Sequence, residues 1–315
     1  MKDKKIIAVV GGTGAQGGGL VRAILKDKES EFTVRAITRN AGSDKAKELE
    51  KLGAEVVEAD VNDKASLVKA FEGAYGAFCV TFFWEHFSPE KEKQHAQNMA
   101  EAAKEAGVQH VIWSTLEDTR KYIPIDNDRM PTLMSIYKVP HFDAKGESNM
   151  YFKNSGVPYT LLNTSFYWDN FIYFGLGPQK GPDGKLAITL PMQDKKLPGI
   201  AAEDIGKTAL GIYKAGEKYQ GKTLGIAGEM LTVKEMADGF GELLGTEVAY
   251  NEVPASAFRS FDFPGAEDMG NMFQFKAEFE KEYCDARDIE ETRKLNPELL
   301  SFSEWLQKNE EKIKA

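Results

Sequence analysis

Residues 6–25 read IIAVVGGTGAQGGGLVRAIL: an apolar run breaks into a glycine-rich turn and leaves it as an amphipathic segment. Aliphatic residues without polar interruption read as a strand buried on both faces, and the segment after the turn as a helix. Gly11, Gly14 and Gly17 stand three apart between them. A glycine pattern alone says little, but between a strand and a helix it is the fingerprint of a dinucleotide-binding turn. Gly11 allows the tight turn, Gly14 lets a pyrophosphate approach the backbone, and Gly17 lets the helix pack on the sheet. The amides of Thr13, Gly14, Ala15 and Gln16, after the Gly11-Gly12 turn, then point at that pyrophosphate at the positive end of the helix.

The rhythm that follows supports this placement. Strands are predicted over 6–10, 32–37, 55–58, 76–81, 109–114 and 159–162, with helices over 16–26, 43–52, 63–71, 89–106 and 140–153. Such alternation predicts an α/β fold, a Rossmann-type doubly wound parallel sheet, spanning residues 1–163. Residues 164–315 read as a smaller α/β domain, with the stretch 200–228 returning to the main sheet. Within it, 200–215 reads as a helix, 223–227 as a strand, and Thr232 with Glu235 as a capping box. The interval 116–139, with two prolines and mixed charge, reads as a long loop, either a lid or a surface insertion.

Strand 2 ends in Thr38-Arg39, where an NAD-binding chain places a carboxylate. Arginine there attracts a 2′-phosphate, so the expected cofactor is NADP(H), with Lys45 as a second candidate cation. Asp60 and Val61, at the end of strand 3, are placed to meet adenine, and Asp60 reads equally well as a helix cap. The stretch 216–223 matches a P-loop by letter, but a helix precedes it and a strand follows, the reverse of what that loop needs.

The catalytic acid is harder to find. Short-chain dehydrogenases carry Tyr-x-x-x-Lys on the helix after strand 5, one turn apart on one face. None of the 11 tyrosines here has lysine four residues later. At the matching place stands His141-x-x-x-Lys145. Lys145 is available to a nicotinamide ribose; His141 reads either as an acid or, more simply, as an ordinary residue at a helix start. The histidines show no metal-ligand spacing, and two cysteines are too few for a disulfide framework. A net charge of −9 without a basic block argues against direct nucleic-acid binding or docking on anionic lipid. With no secretory pattern and no membrane-spanning apolar run, a cytoplasmic location is expected.

GGTGAQGG, TRN, GAEVVEAD, FWE, HFDAKGE, GVPYT, YWDN and FPGAEDMGNMF together resemble the NmrA-like proteins, which are atypical short-chain dehydrogenases. The motifs look closest to the animal, NADPH-sensing branch of that family. The resemblance implies a redox sensor that answers to the NADPH/NADP ratio with little or no turnover. It also implies protein partners, transcriptional regulation with the nucleus as a second compartment, and room for a homodimer. Carried over by position, NADP(H) touches Gly11–Gln16, Arg39, Asp60, Val61, Thr81, Phe82, Phe83 and Lys145, then Tyr167, Trp168, Asp169 and Asn170. The alternative is an NADPH-dependent reductase of a quinone or small carbonyl compound, using Lys145. Phe82, Phe83, Trp84, Phe166, Tyr167 and Trp168 would then line an apolar pocket, although core packing accounts for many of them. Two departures from that branch stand out: 116–139 is partly an insertion, and Ser43 replaces a nearby lysine.

Overall fold

A computed structural model describes residues 4–181 and 184–314. The first half alternates β1 (Lys5–Val10), α1 (Ala15–Lys26), β2 (Phe32–Thr38), α2 (Asp44–Lys51), β3 (Glu55–Glu58) and α3 (Lys64–Phe71). It continues with β4 (Ala74–Cys79), α4 (Pro89–Glu105), β5 (His110–Thr115), α5 (Pro140–Asn154) and β6 (Tyr159–Asn163). Then follow β7 (Phe166–Tyr167), α6 (Asn170–Tyr173), β8 (Gln179–Lys180), β9 (Leu186–Leu190), β10 (Lys196–Ile200), α7 (Ala202–Lys214) and β11 (Thr223–Gly225). After these come β12 (Glu229–Thr232), α8 (Val233–Leu244), β13 (Val248–Glu252), α9 (Ala255–Arg259), α10 (Ala266–Glu278), α11 (Glu280–Asp285), α12 (Ile289–Leu295), α13 (Phe302–Lys308) and α14 (Glu310–Lys314).

Seven strands form one parallel sheet in the order β3-β2-β1-β4-β5-β6-β11. β1 shows why both faces must be covered. Ile7 and Val9 pack toward α1 and α7, while Ala8 and Val10 pack toward α3 and α4. The strand order reverses between β1 and β4, and in a sheet of this kind the crevice at that reversal takes the ligand. Close helix packing sets its rim: a Cβ on Gly19 would lie 2.5 Å from the Glu203 carbonyl oxygen, and one on Gly206 2.1 Å from the Leu20 amide. Only glycines let α1 and α7 approach this far.

Two three-stranded sheets, β12-β10-β7 and β13-β9-β8, accompany an aromatic core that includes Phe166, Trp168, Phe171, Phe240, Phe302 and Trp305. The structure moves some boundaries. β4 ends at Cys79, which leaves Thr81 in the following loop. Ile200 pairs with Tyr167 in β10, so the predicted helix starts only at Ala202. The interval 116–139 is held by its own side chains and by those of α5 and α10, whose Asn271 Nδ2 donates to Pro131 O and Lys138 O. The Lys138 ammonium donates to Asn127 O, Met130 O and Thr132 Oγ1 at 2.7–2.9 Å. The buried Asp143 carboxylate gathers the amides of Thr119, Lys138 and Val139 at 2.8–3.0 Å.

Candidate functional site

A cleft of about 1170 Å³ opens where β1 and β4 end and continues among residues of the C-terminal half. At its floor Gly11 adopts φ +66°, the left-handed region that glycine enters without a Cβ clash. A Cβ on Gly17 would stand 2.4 Å from the Gly11 carbonyl oxygen, so the first turn of α1 presses on the loop. Gly14 is the N-cap of α1; it supplies no side-chain cap, and the first turn holds no acidic residue. The amides of Ala15, Gln16 and Gly17 lack both intrahelical acceptors and a cap. Together with the helix dipole they present a positive end to the cleft, as an anionic pyrophosphate requires. Gly11, Thr13, Gly14, Ala15, Gln16 and Gly17 line the cleft. Gly12 does not. Its amide donates to Ile37 O at 3.0 Å and its missing Cβ makes room for Ala36 on β2.

Gln16 crosses the cleft. Its Nε2 donates to Tyr167 Oη at 2.6 Å and its Oε1 accepts from Ser114 Oγ at 2.7 Å. Burial pushes the Tyr167 phenol up to about 12, so it stays a neutral hydrogen-bonding post. Asp169 and Asn170 also line the cleft, and Asp169 Oδ2 accepts from the Ala202 amide at 2.8 Å. Trp168 lies elsewhere: it is buried against Phe302 and Trp305, outside the cleft lining.

At the open end, Arg39 from the tip of β2 forms an ion pair with Glu85, and both side chains are largely exposed. Val61 lines the same end. Asp60 is outside the lining; its carboxylate accepts from the Asn62 amide and Nδ2 at 2.9 and 2.8 Å, a local turn cap.

The inner end holds Thr81, Phe82, Phe83 and Lys145. The Lys145 ammonium donates to Thr81 Oγ1 at 2.5 Å and Thr81 O at 3.3 Å, and pairs with Glu92 Oε1 at 2.7 Å. Three acceptors engage its three protons. Burial alone would raise the Glu92 carboxyl, but the Lys145 charge and the hydrogen bonds around it hold it down at about 2. Facing this pair, the buried His141 ring packs on Trp84 with centroids 4.7 Å apart. Its Nδ1 meets Asp268 Oδ1 at 2.6 Å, and its backbone amide donates to Asp268 Oδ2 at 3.2 Å. A carboxylate at Nδ1 fixes that nitrogen as the donor and leaves Nε2 as the working atom of a ring that lines the cleft. From α10, Met269, Met272 and Lys276 line the cleft beyond it.

Residues 3–306 match the NmrA-like family. An NmrA-like family domain-containing oxidoreductase of Malbranchea aurantiaca is 30% identical over 78% of this chain and 75% of its own length. A second such oxidoreductase, from Aspergillus campestris, is 30% identical over 87% of this chain and 83% of its own. Among solved structures, that of NmrA, described as a negative transcriptional regulator in complex with NADP, superposes with a TM-score of 0.77 at 25% identity, covering 96% of this chain and 94% of its own. This chain belongs to the NmrA-like family. These relatives are fungal oxidoreductases, so the narrower likeness to the animal NADPH-sensing branch is not what the comparisons bring forward.

Several residues that shape this NmrA-like cleft were not singled out in the sequence. Asp268 lies 127 positions from His141, in the FPGAEDMGNMF stretch, which carries the family likeness but gives no sign of its partner. Glu92 and Lys276 sit on helices where charged residues usually face solvent, and Glu85 lies in the FWE stretch. Among the described residues no cluster of His, Cys, Asp and Glu could hold a metal ion, and no helix is long and apolar enough to cross a membrane.

Proposed function

We propose that this chain binds NADP(H) and reduces a second, flat apolar acceptor, a quinone or an aromatic carbonyl compound, in the inner part of the cleft. The observation that carries this reading is the His141–Asp268 pair, an oriented imidazole at the place where short-chain dehydrogenases carry their tyrosine. Gly11, Gly14 and the open first turn of α1 would hold the pyrophosphate, Arg39 the 2′-phosphate, and Gln16 and Tyr167 the middle of the cleft. Bound NADPH supplies a hydride. In its imidazolium form, with the Nδ1 proton held by Asp268, His141 would hold at Nε2 the proton that the acceptor oxygen takes as the carbonyl becomes a hydroxyl, and would be left as the neutral ring. That proton and the hydride together would convert a quinone to a hydroquinone. Lys145, with its protons engaged by Glu92 and Thr81, positions the loop after β4 rather than supplying that proton. The names of the fungal relatives support an oxidoreductase.

A second reading, a redox-responsive regulator without turnover, draws on the same saturation of Lys145, on the absent Tyr-x-x-x-Lys, and on the likeness to NmrA itself. Protein partners and a homodimer belong to that reading. Following NADPH absorbance across a panel of quinones and aromatic aldehydes separates the two. Turnover with at least one acceptor is expected; tight NADP(H) binding with no oxidation across the panel would favour the regulator.

A further inference from the structure

Lys276 stands on the third turn of α10 with about 2% of its surface exposed, and it lines the inner cleft. Its amine sits over four rings, 5.4 Å from the centroid of Phe142, 5.5 Å from Tyr283, and 5.7 Å from Phe166 and Phe273. Among the described residues it has no hydrogen-bond acceptor and no counter-ion. Buried Lys138, by contrast, has three acceptors. The carboxylate whose charge bears on it, Glu117, is committed elsewhere: Arg287 grips it with both terminal guanidinium nitrogens, with Nη2 at 3.0 Å, and Arg287 Nη2 also donates to Thr164 O at 2.7 Å. Ring faces attract a cation but accept no N–H hydrogen bond of ordinary strength. Burial, with Arg287 adding to it, pushes the Lys276 amine down to about 7. An amine so placed gains far more from an anionic ligand than one already paired.

We propose that Lys276 anchors the carboxylate of a second ligand, a flat aromatic acid that lies between Phe142, Phe166, Met269 and Met272. The proposal rests on the reductase reading only for calling that ligand the hydride acceptor; the anchoring itself needs no turnover. Aromatic walls and two flexible methionines favour a ring system over a polar chain. The unpaired amine selects for an acidic oxygen at the far end of that ring. A balancing negative charge is then brought by the ligand, which explains why the protein supplies none.

The probe is 2-naphthoate against its neutral relative 2-naphthamide, titrated calorimetrically into the full chain with NADP+ present. At pH 6, naphthoate is expected to bind about tenfold more tightly than the amide, the difference of one desolvated charge-assisted contact. The groups facing the amine are Arg287 and Glu117, which neutralise each other, and Tyr283, while His141 adjoins Phe142. At pH 8.5 the preference is expected to shrink in the parent and to persist in Lys276→Arg, which cannot lose its proton. Lys276→Met is expected to lose the preference at both pH values, with a melting temperature no lower than the parent's as evidence of folding. Equal binding of the two probes at pH 6, no binding of naphthoate, or a preference that survives in Lys276→Met would each overturn the proposal. Turnover is not read here, so a wrong reductase reading would show separately, as absent NADPH oxidation alongside an intact carboxylate preference.

Discussion

Two lysines reach the same cleft from opposite halves of the chain, and the fold treats them in opposite ways. Lys145, on α5, is saturated by Thr81 and by Glu92, a carboxylate with no exposed surface. Lys276, on α10, is given rings and no acceptor. A buried ion pair is costly to break because the survivor keeps its charge without a partner, whereas a buried lone amine already carries that penalty in the intact protein. The first lysine is therefore part of the scaffold that shapes the dinucleotide end. The second is a cost retained in the fold, and its place in the cleft gives a reason for retaining it.

The largest expected effect tests the scaffold side of this contrast. Lys145→Met strands Glu92 and is expected to destabilise the protein by about 3–5 kcal/mol, while Lys276→Met is expected to be neutral or stabilising. Urea unfolding of both variants measures this, and equal losses would erase the distinction. The pH dependence follows from Glu92. Its folded-state carboxyl is depressed to about 2, so its contribution is fully present above the ordinary carboxylate range near 4.5 and is lost as pH falls from there toward 2. In Lys145→Met the largest cause of that depression is lost while the Thr81 and His86 contacts remain, so the depression is smaller and acid unfolding is expected to begin at higher pH.

A smaller effect compares the two ends of the cleft. Arg39→Asp is expected to weaken NADP+ binding by about 2–3 kcal/mol, the worth of charge-assisted phosphate bonds, with NAD+ binding little changed. Glu85→Gln frees Arg39 from an exposed pair worth at most about 1 kcal/mol, so NADP+ affinity is expected to rise only a few-fold. Calorimetric titration of both nucleotides checks the two variants together. If Arg39→Asp leaves the NADP+ to NAD+ ratio unchanged, the assignment of the 2′-phosphate end is wrong.

What could be read from the sequence divides along similar lines. The parallel sheet and the glycine turn were legible because their signals are local: apolar runs of strand length, a helix period, and three glycines at fixed spacing. Lys145 was visible for the same reason, as one turn of helix from His141. The small sheets β12-β10-β7 and β13-β9-β8 were not, because strands of two to five residues carry too little pattern to separate from turns. Trp168 and Asp60 show the other limit: a motif places a residue near a site, but only packing decides whether its side chain turns into the cleft or away from it. Asp268, Glu92 and Lys276 depend on pairings far apart in the chain, which no local pattern encodes.

The central claim is that His141, held by Asp268, stands where the missing tyrosine would and supplies the proton. Its most direct test is steady-state NADPH oxidation with an accepted quinone by the parent protein and by His141→Gln, with nucleotide affinity measured in parallel. A fall in kcat of about a hundredfold, with NADPH binding retained, is the predicted result. An unchanged kcat in His141→Gln would contradict it.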